Sequence, residues 1–137
     1  MLSYHADMDI DTNPYELGLD RLLNPDMEAD FIGKAALQRI RREGVSRKQV
    51  GLAITAPPFG GPNTTFWPVH AGEKVIGKVT SAVYSPRLQQ NIALAMVAVD
   101  SSHIGCEMMV HMPTGPVPAV VVEKPFFDPK KKIASAA

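Results

Sequence analysis

The apolar periodicity of this chain changes at Lys48, and that change limits the fold more than any other feature. Val50, Leu52 and Ile54 alternate with Gly51, Ala53 and Thr55, the two-residue repeat of a strand with one buried face. Candidate strands follow at residues 67–70, 74–84, 92–100, 107–111 and 119–123, each bounded by Gly, Pro, Asn or Ser. Six short strands joined by turns, with no helical repeat between them, predict an antiparallel barrel or sandwich. A parallel sheet would need crossover helices, and none is present. Twelve prolines in 137 residues agree, because proline marks turns and strand ends and breaks long helices.

Before Lys48 the repeat is helical. Residues 30–44 read as one helix, with Asp30 as its cap, Ile32, Ala36 and Ile40 four residues apart, Leu37 beside them, and Gly44 as a left-handed stop. Its apolar stripe is expected to face a core. Residues 15–23, after Asn13 and Pro14, read as a shorter helix or turn with Leu19, Leu22 and Leu23 on one side, stopped by Pro25. The predicted class is mainly β, α+β overall: an antiparallel barrel of about six strands preceded by a short helical lead-in. Residues 1–46 are the lead-in, 47–129 the barrel, and 130–137 a tail expected to fray.

One domain is the natural size for such a chain, and Leu, Ile, Val and Phe make up 35 of its 137 residues, enough to build a core. The formal net charge is zero but unevenly placed. Residues 1–30 carry eight acids against Arg21 alone; residues 31–48 carry six bases against Glu43 alone. The two blocks can pair with each other or face an absent part of a larger protein, and the balance argues against a nucleic-acid surface. No stretch of about 18 apolar residues and no basic-then-apolar leader occurs, so no membrane association is expected and the chain reads as cytoplasmic. The single cysteine, Cys106, excludes an internal disulfide and reads as a small packed residue.

Several motifs fail on their chemistry. Asp7, Asp9 and Asp11 have the spacing of a calcium loop, but Thr12 stands where its glycine belongs and Gly18 where its bidentate glutamate belongs. Gly72, Gly77 and Lys78 spell part of a phosphate loop, yet Val79 replaces the magnesium-binding hydroxyl and a strand follows. A hairpin turn at Ala71, Gly72 and Glu73, with Gly77 admitting a bulge or a close neighbour, explains them better. His5, His70, His103 and His111 lack metal-site spacing, and Ser81 lies inside a strand, so neither a metal site nor a catalytic set is read from the residues.

A series of short segments carries more. Asn13-Pro14-Tyr15-Glu16-Leu17-Gly18-Leu19, Asp30-Phe31-Ile32-Gly33-Lys34-Ala35-Ala36-Leu37 and Val50-Gly51-Leu52 occur in that order. Ile76-Gly77-Lys78-Val79-Thr80-Ser81-Ala82, Ser85-Pro86 with Leu88, Ile92-Ala93-Leu94-Ala95 and Pro125-Phe126-Phe127-Asp128-Pro129 follow. Together they resemble the C-terminal portion of the aminomethyltransferase family typified by the glycine cleavage T protein.

The resemblance implies a tetrahydrofolate cofactor, a small-molecule one-carbon donor and a missing N-terminal folate-binding half that carries the catalytic aspartate, so the chain alone is expected to be inactive. It also implies cofactor-binding positions at Tyr4, Asp7, Arg21, Lys48 and Gln49. Glycine-cleaving members carry tryptophan where Arg21 stands and arginine where Gln49 stands. In these two places the chain looks more like the folate-dependent demethylases, such as those acting on dimethylsulfoniopropionate. Two other readings are a non-catalytic interaction barrel and the folate-side domain of a flavin-dependent N-methyl amine oxidase or dehydrogenase. With its partner half absent, Leu2, Tyr4, Leu17 and Phe31 are expected to be exposed and to favour a homodimer through the lead-in.

Overall fold

The computed structural model describes residues 2–128, 130 and 132–135. Its six strands are β1 (Arg47–Ile54), β2 (Trp67–Ala71), β3 (Lys74–Ser85), β4 (Gln90–Ala98), β5 (Glu107–Met112) and β6 (Gly115–Val122). They close into an antiparallel barrel in the order β1-β4-β3-β2-β5-β6, with β6 returning to β1. Closure leaves no free sheet edge and turns one face of every strand inward. Leu52, Val69, Val79, Val97 and Val110 fill the interior and are the largest fully buried side chains.

The predicted strands are present, with shifted ends. β6 begins at Gly115 rather than at residue 119: Pro116 and Pro118 pair with β5, while on the other side the β1 ladder starts at Ala119 and Pro118 gives only its carbonyl, to Thr55 N–H (2.9 Å). A proline is tolerated where its missing N–H faces no neighbouring strand. β4 begins at Gln90 and ends in a 3-10 turn at Val99–Ser101, so the span expected at 92–100 slides toward the N-terminus. Asn91 is buried there. Its amide donates to the carbonyls of Ala56 (2.8 Å) and Pro57 (3.0 Å) and accepts from Phe59 N–H (3.0 Å), which pins the long β1–β2 loop. Gly72 turns the β2–β3 hairpin with φ +60°, as expected. Gly77 meets a close neighbour: a Cβ there would lie 2.1 Å from the Met96 carbonyl oxygen of β4.

The lead-in departs further from expectation. α1 spans Lys34–Glu43, not 30–44, and follows Gly33 at φ +92°. Asp30 does not cap it; its carboxylate accepts from Phe31 N–H instead, and Ile32 is fully exposed. Nor does the helix bury any residue. It is held by polar contacts to the preceding loop: a bidentate Arg41–Asp26 pair (both 2.8 Å), Lys34 Nζ to the Met27 carbonyl (2.6 Å) and Gln38 to the Pro25 carbonyl (2.9 Å). Periodicity reports an amphipathic face, but only a surface of suitable shape can cover it.

The segment at 15–23 is a run of turns followed by a 3-10 turn at Asp20–Leu22. Leu22 is exposed there, while Tyr15 and Leu17 are buried. Leu17 therefore corrects the expected set of exposed residues; Tyr4 and Phe31 are exposed and Leu2 is half-buried. In the tail Lys132–Ser135 forms a helical turn, with Asp128 accepting from the N–H groups of Lys132 and Ile133. Of the span expected to fray, residues 131, 136 and 137 lie outside the described residues.

Candidate functional site

The polar residues of interest gather on the outer face of β1 and β3, under the first turns of the lead-in. A bulge between Val79 and Ser81 sets this up. In a regular strand Thr80 and Ser81 would point to opposite faces. The extra residue lets both hydroxyls reach one atom, Asp7 Oδ1, at 2.6 Å and 2.7 Å. The other carboxylate oxygen accepts from Ser3 N–H at 2.9 Å. Asp7 is 3% exposed, so a buried carboxylate is held entirely by neutral donors, which distribute its charge in place of water.

From Asp7 the network runs to the C-terminal end of the barrel. Gln49, also buried, donates its amide to the Asp7 carbonyl (3.3 Å), and its Oε1 accepts from Lys124 Nζ (2.9 Å). Burial lowers the Lys124 ammonium pKa to about 8; repulsion by Lys48 adds to this and attraction to Asp7 opposes it. Phe126 then lays its ring on Gly51, where a Cβ would stand 2.9 Å from Cε1. Beside Gln49, Arg47 pairs with the buried Glu16 (2.7 Å), and Glu16 accepts from Asn13 N–H while Asn13 Oδ1 accepts from Glu16 N–H. That reciprocal arrangement is a capping box, and Arg47 anchors it to β1. Glu16–Arg47 and Asp26–Arg41 join the acidic and basic blocks within one chain.

Two cavities open beside this network. One, of about 450 Å³, is lined by Ala6, Asn63, Thr80, Ser81, Leu94 and Phe126 among others. The second, of about 540 Å³, is lined by Lys48, Gln49, Ser102, His103, Glu123 and Lys124 among others. Of the positions expected to bind a cofactor, Asp7 and Gln49 are joined directly, and Lys48 enters through its repulsion of Lys124. Tyr4 is 57% exposed, with its ring 4.2 Å from that of His5. Arg21 sits apart on the exposed 3-10 turn, and Glu16 pairs with Arg47 rather than with it.

Residue reading missed Thr80, Ser81 and Lys124. Lys124 directly precedes the Pro125-Phe126-Phe127-Asp128 motif, and that adjacency was the available signal. The sequence also treated the histidines as scattered, whereas the β2–β5 pairing stacks His70 on His111 with ring centroids 3.9 Å apart. Among the described residues no cluster of three or more His, Cys, Asp or Glu could hold a metal ion. No helix of the described residues is long and apolar enough to cross a membrane.

Residues 47–128 match the model of the glycine cleavage T-protein C-terminal barrel domain. The chain belongs to that family. Over 125 residues it is 43% identical to an aminomethyltransferase of Synechococcus sp. (strain RCC307), a match that covers 90% of this chain and 34% of that protein. An aminomethyltransferase of Thermosynechococcus vestitus is 41% identical over 127 residues, covering 93% and 34%. The glycine cleavage system aminomethyltransferase T of Bartonella henselae superposes with a TM-score of 0.82 at 23% identity, covering 93% of this chain and 36% of that one, a likeness in fold. The chain thus spans about a third of the length of these aminomethyltransferase relatives. The T-protein barrel accounts for the motif order at 50–52, 76–82, 92–95 and 125–128, and the matches at 90–93% of the chain take in the lead-in as well.

Proposed function

We propose that this chain is the barrel-bearing portion of a tetrahydrofolate-dependent one-carbon transferase, an aminomethyltransferase or a demethylase, and that it supplies one wall of the folate cavity. The observation that carries this reading is the T-protein barrel match over residues 47–128, continuous with a lead-in clasped to the barrel by Asp7.

The residues fit a folate on one side only. Asp7 and Gln49 have their polar atoms engaged within the protein, so their part is to hold the wall in place. Tyr4, Arg21 and Lys48 remain accessible and offer an aromatic face and two cations, suited to a conjugated ring and to carboxylates. When bound, tetrahydrofolate supplies the nitrogen that accepts the one-carbon unit. Among the described residues no acid and base are placed together for proton transfer, and the chemistry is assigned to the portion that the longer relatives carry. Gln49 and Arg21 stand where glycine-cleaving members carry arginine and tryptophan, and that difference favours the demethylase branch; Gln49 acts there by bridging Asp7 and Lys124, not by touching the donor.

The test is to mix this chain with the remaining two thirds of the Synechococcus relative and assay tetrahydrofolate-dependent transfer from a glycine-derived and from a sulfonium donor. Activity only in the mixture supports the reading, and the preferred donor assigns the branch. Turnover by this chain alone, or failure of both mixture and chain to bind tetrahydrofolate, overturns it.

A further inference from the structure

We propose that Lys48 and Lys124 form a binding site for a small oxyanion, carboxylate or phosphate, in the cavity they line with Ser102 and His103. The site shares Lys48 with the folate wall proposed above, but it is argued from the cavity and from the Lys124–Gln49 contact. Lys124 is half-buried and has three N–H donors, of which one is given to Gln49 Oε1 at 2.9 Å. Among the described residues the ion pairs are Arg41–Asp26 and Arg47–Glu16, so neither lysine has a carboxylate partner.

A lysine that only packs its stem extends its head into water. Lys124 instead holds its ammonium against a buried amide and close enough to Lys48 to feel its charge. Two like charges kept together at a cavity of about 540 Å³ lower each other's stability, and an oxyanion between them relieves both. The other charged or titratable groups facing them are Glu123 and His103 in the cavity lining and Asp7 behind Gln49. Asp7 has its carboxylate oxygens occupied by Thr80, Ser81 and Ser3, so it attracts the Lys124 ammonium without forming an ion pair with it. Carboxylate and phosphate share the chemistry required, at least two oxygens and one or more negative charges. Lysines, as point charges, serve either.

The experiment follows lysine side-chain Cε–Hε resonances of the full chain while glutarate or propyl phosphate is added, with sodium chloride at equal ionic strength as the control. Saturable shifts at Lys48 and Lys124, absent at Lys74 and Lys78, are expected, and the Lys124 titration midpoint should move above 8. Response to glutarate alone assigns a carboxylate site, to propyl phosphate alone a phosphate site, and to both a general oxyanion site. K124M should abolish the saturable shift at Lys48. Should K124M lose the native Trp67 fluorescence, K48M is the second variant, and about a tenfold weaker response at Lys124 is expected. Shifts reproduced by chloride, or shared equally by Lys74 and Lys78, overturn the proposal.

Discussion

Thr80 Oγ1 donates to Asp7 Oδ1 at 2.6 Å across 73 positions of sequence, and this bond fastens the lead-in to the barrel wall. Replacing Asp7 by Ala leaves the Thr80 and Ser81 hydroxyls and Ser3 N–H without their acceptor. An unsatisfied buried donor costs about 1–3 kcal/mol, partly recovered here because Thr80 also reaches the Leu94 carbonyl at 3.2 Å. D7A should therefore lower stability in urea by about 2 kcal/mol. Amide exchange should accelerate at Tyr4–Met8 more than in the interior strands; uniform acceleration would show that the clasp is not local.

Gly77 and Gly51 should respond differently to one methyl group. At Gly77 the obstacle is the Met96 backbone of the paired strand, which cannot withdraw without opening the β3–β4 ladder. At Gly51 the nearest obstacle is the Phe126 ring, which can swing, and the Val122 carbonyl oxygen stands farther off at 3.3 Å. G77A is expected to cost more than about 3 kcal/mol or to prevent folding, and G51A about 1 kcal/mol. Thermal melts of the two variants side by side would check the order.

Lys124 makes stability depend on alkaline pH. Its folded-state pKa, about 8, lies below the ordinary 10.5, so between those values the unfolded chain binds more protons than the folded one. Stability contributed through this group is lowest below pH 8 and rises as pH climbs from about 8 to 10.5. Urea titrations across that window should show the rise in the native chain and a flatter profile in K124M, the difference between them cancelling the other lysines.

Self-association is expected through the lead-in. Tyr4, Ile10 and Ile32 are exposed and α1 has no fully buried residue, while exposed apolar area costs roughly 25 cal/mol per Å². Sedimentation over a concentration series should show a dimer that weakens with salt, given the opposed charges of the two blocks. A monomer at high micromolar concentration would contradict this.

The barrel was legible because strand alternation and turn residues are local: Val50, Leu52 and Ile54 announce an inward face whatever they pack against. The family was legible because its motifs survive as contiguous words, from Asn13-Pro14-Tyr15-Glu16 to Pro125-Phe126-Phe127-Asp128. What lay beyond reach depends on which distant groups meet. Apolar spacing gave Ile32 and Leu22 buried roles, yet both face water, because no neighbouring surface on this chain covers them. Pro116 and Pro118 fit within β6 because of strand order: both pair with β5, and toward β1 Pro118 offers only its carbonyl, to Thr55 N–H.

The candidate site followed the same division. Sequence singled out Asp7, Lys48 and Gln49 one at a time. Only closure of the barrel and the bulge at Thr80 brought two hydroxyls to the Asp7 carboxylate, and only the return of the chain after β6 placed Lys124 on Gln49, 75 residues away. Alternation, turns and motifs are properties of neighbours along the chain, and sequence by itself determined them. The burial of a charge and the identity of its partner are properties of contacts through space, and those the tertiary structure decided.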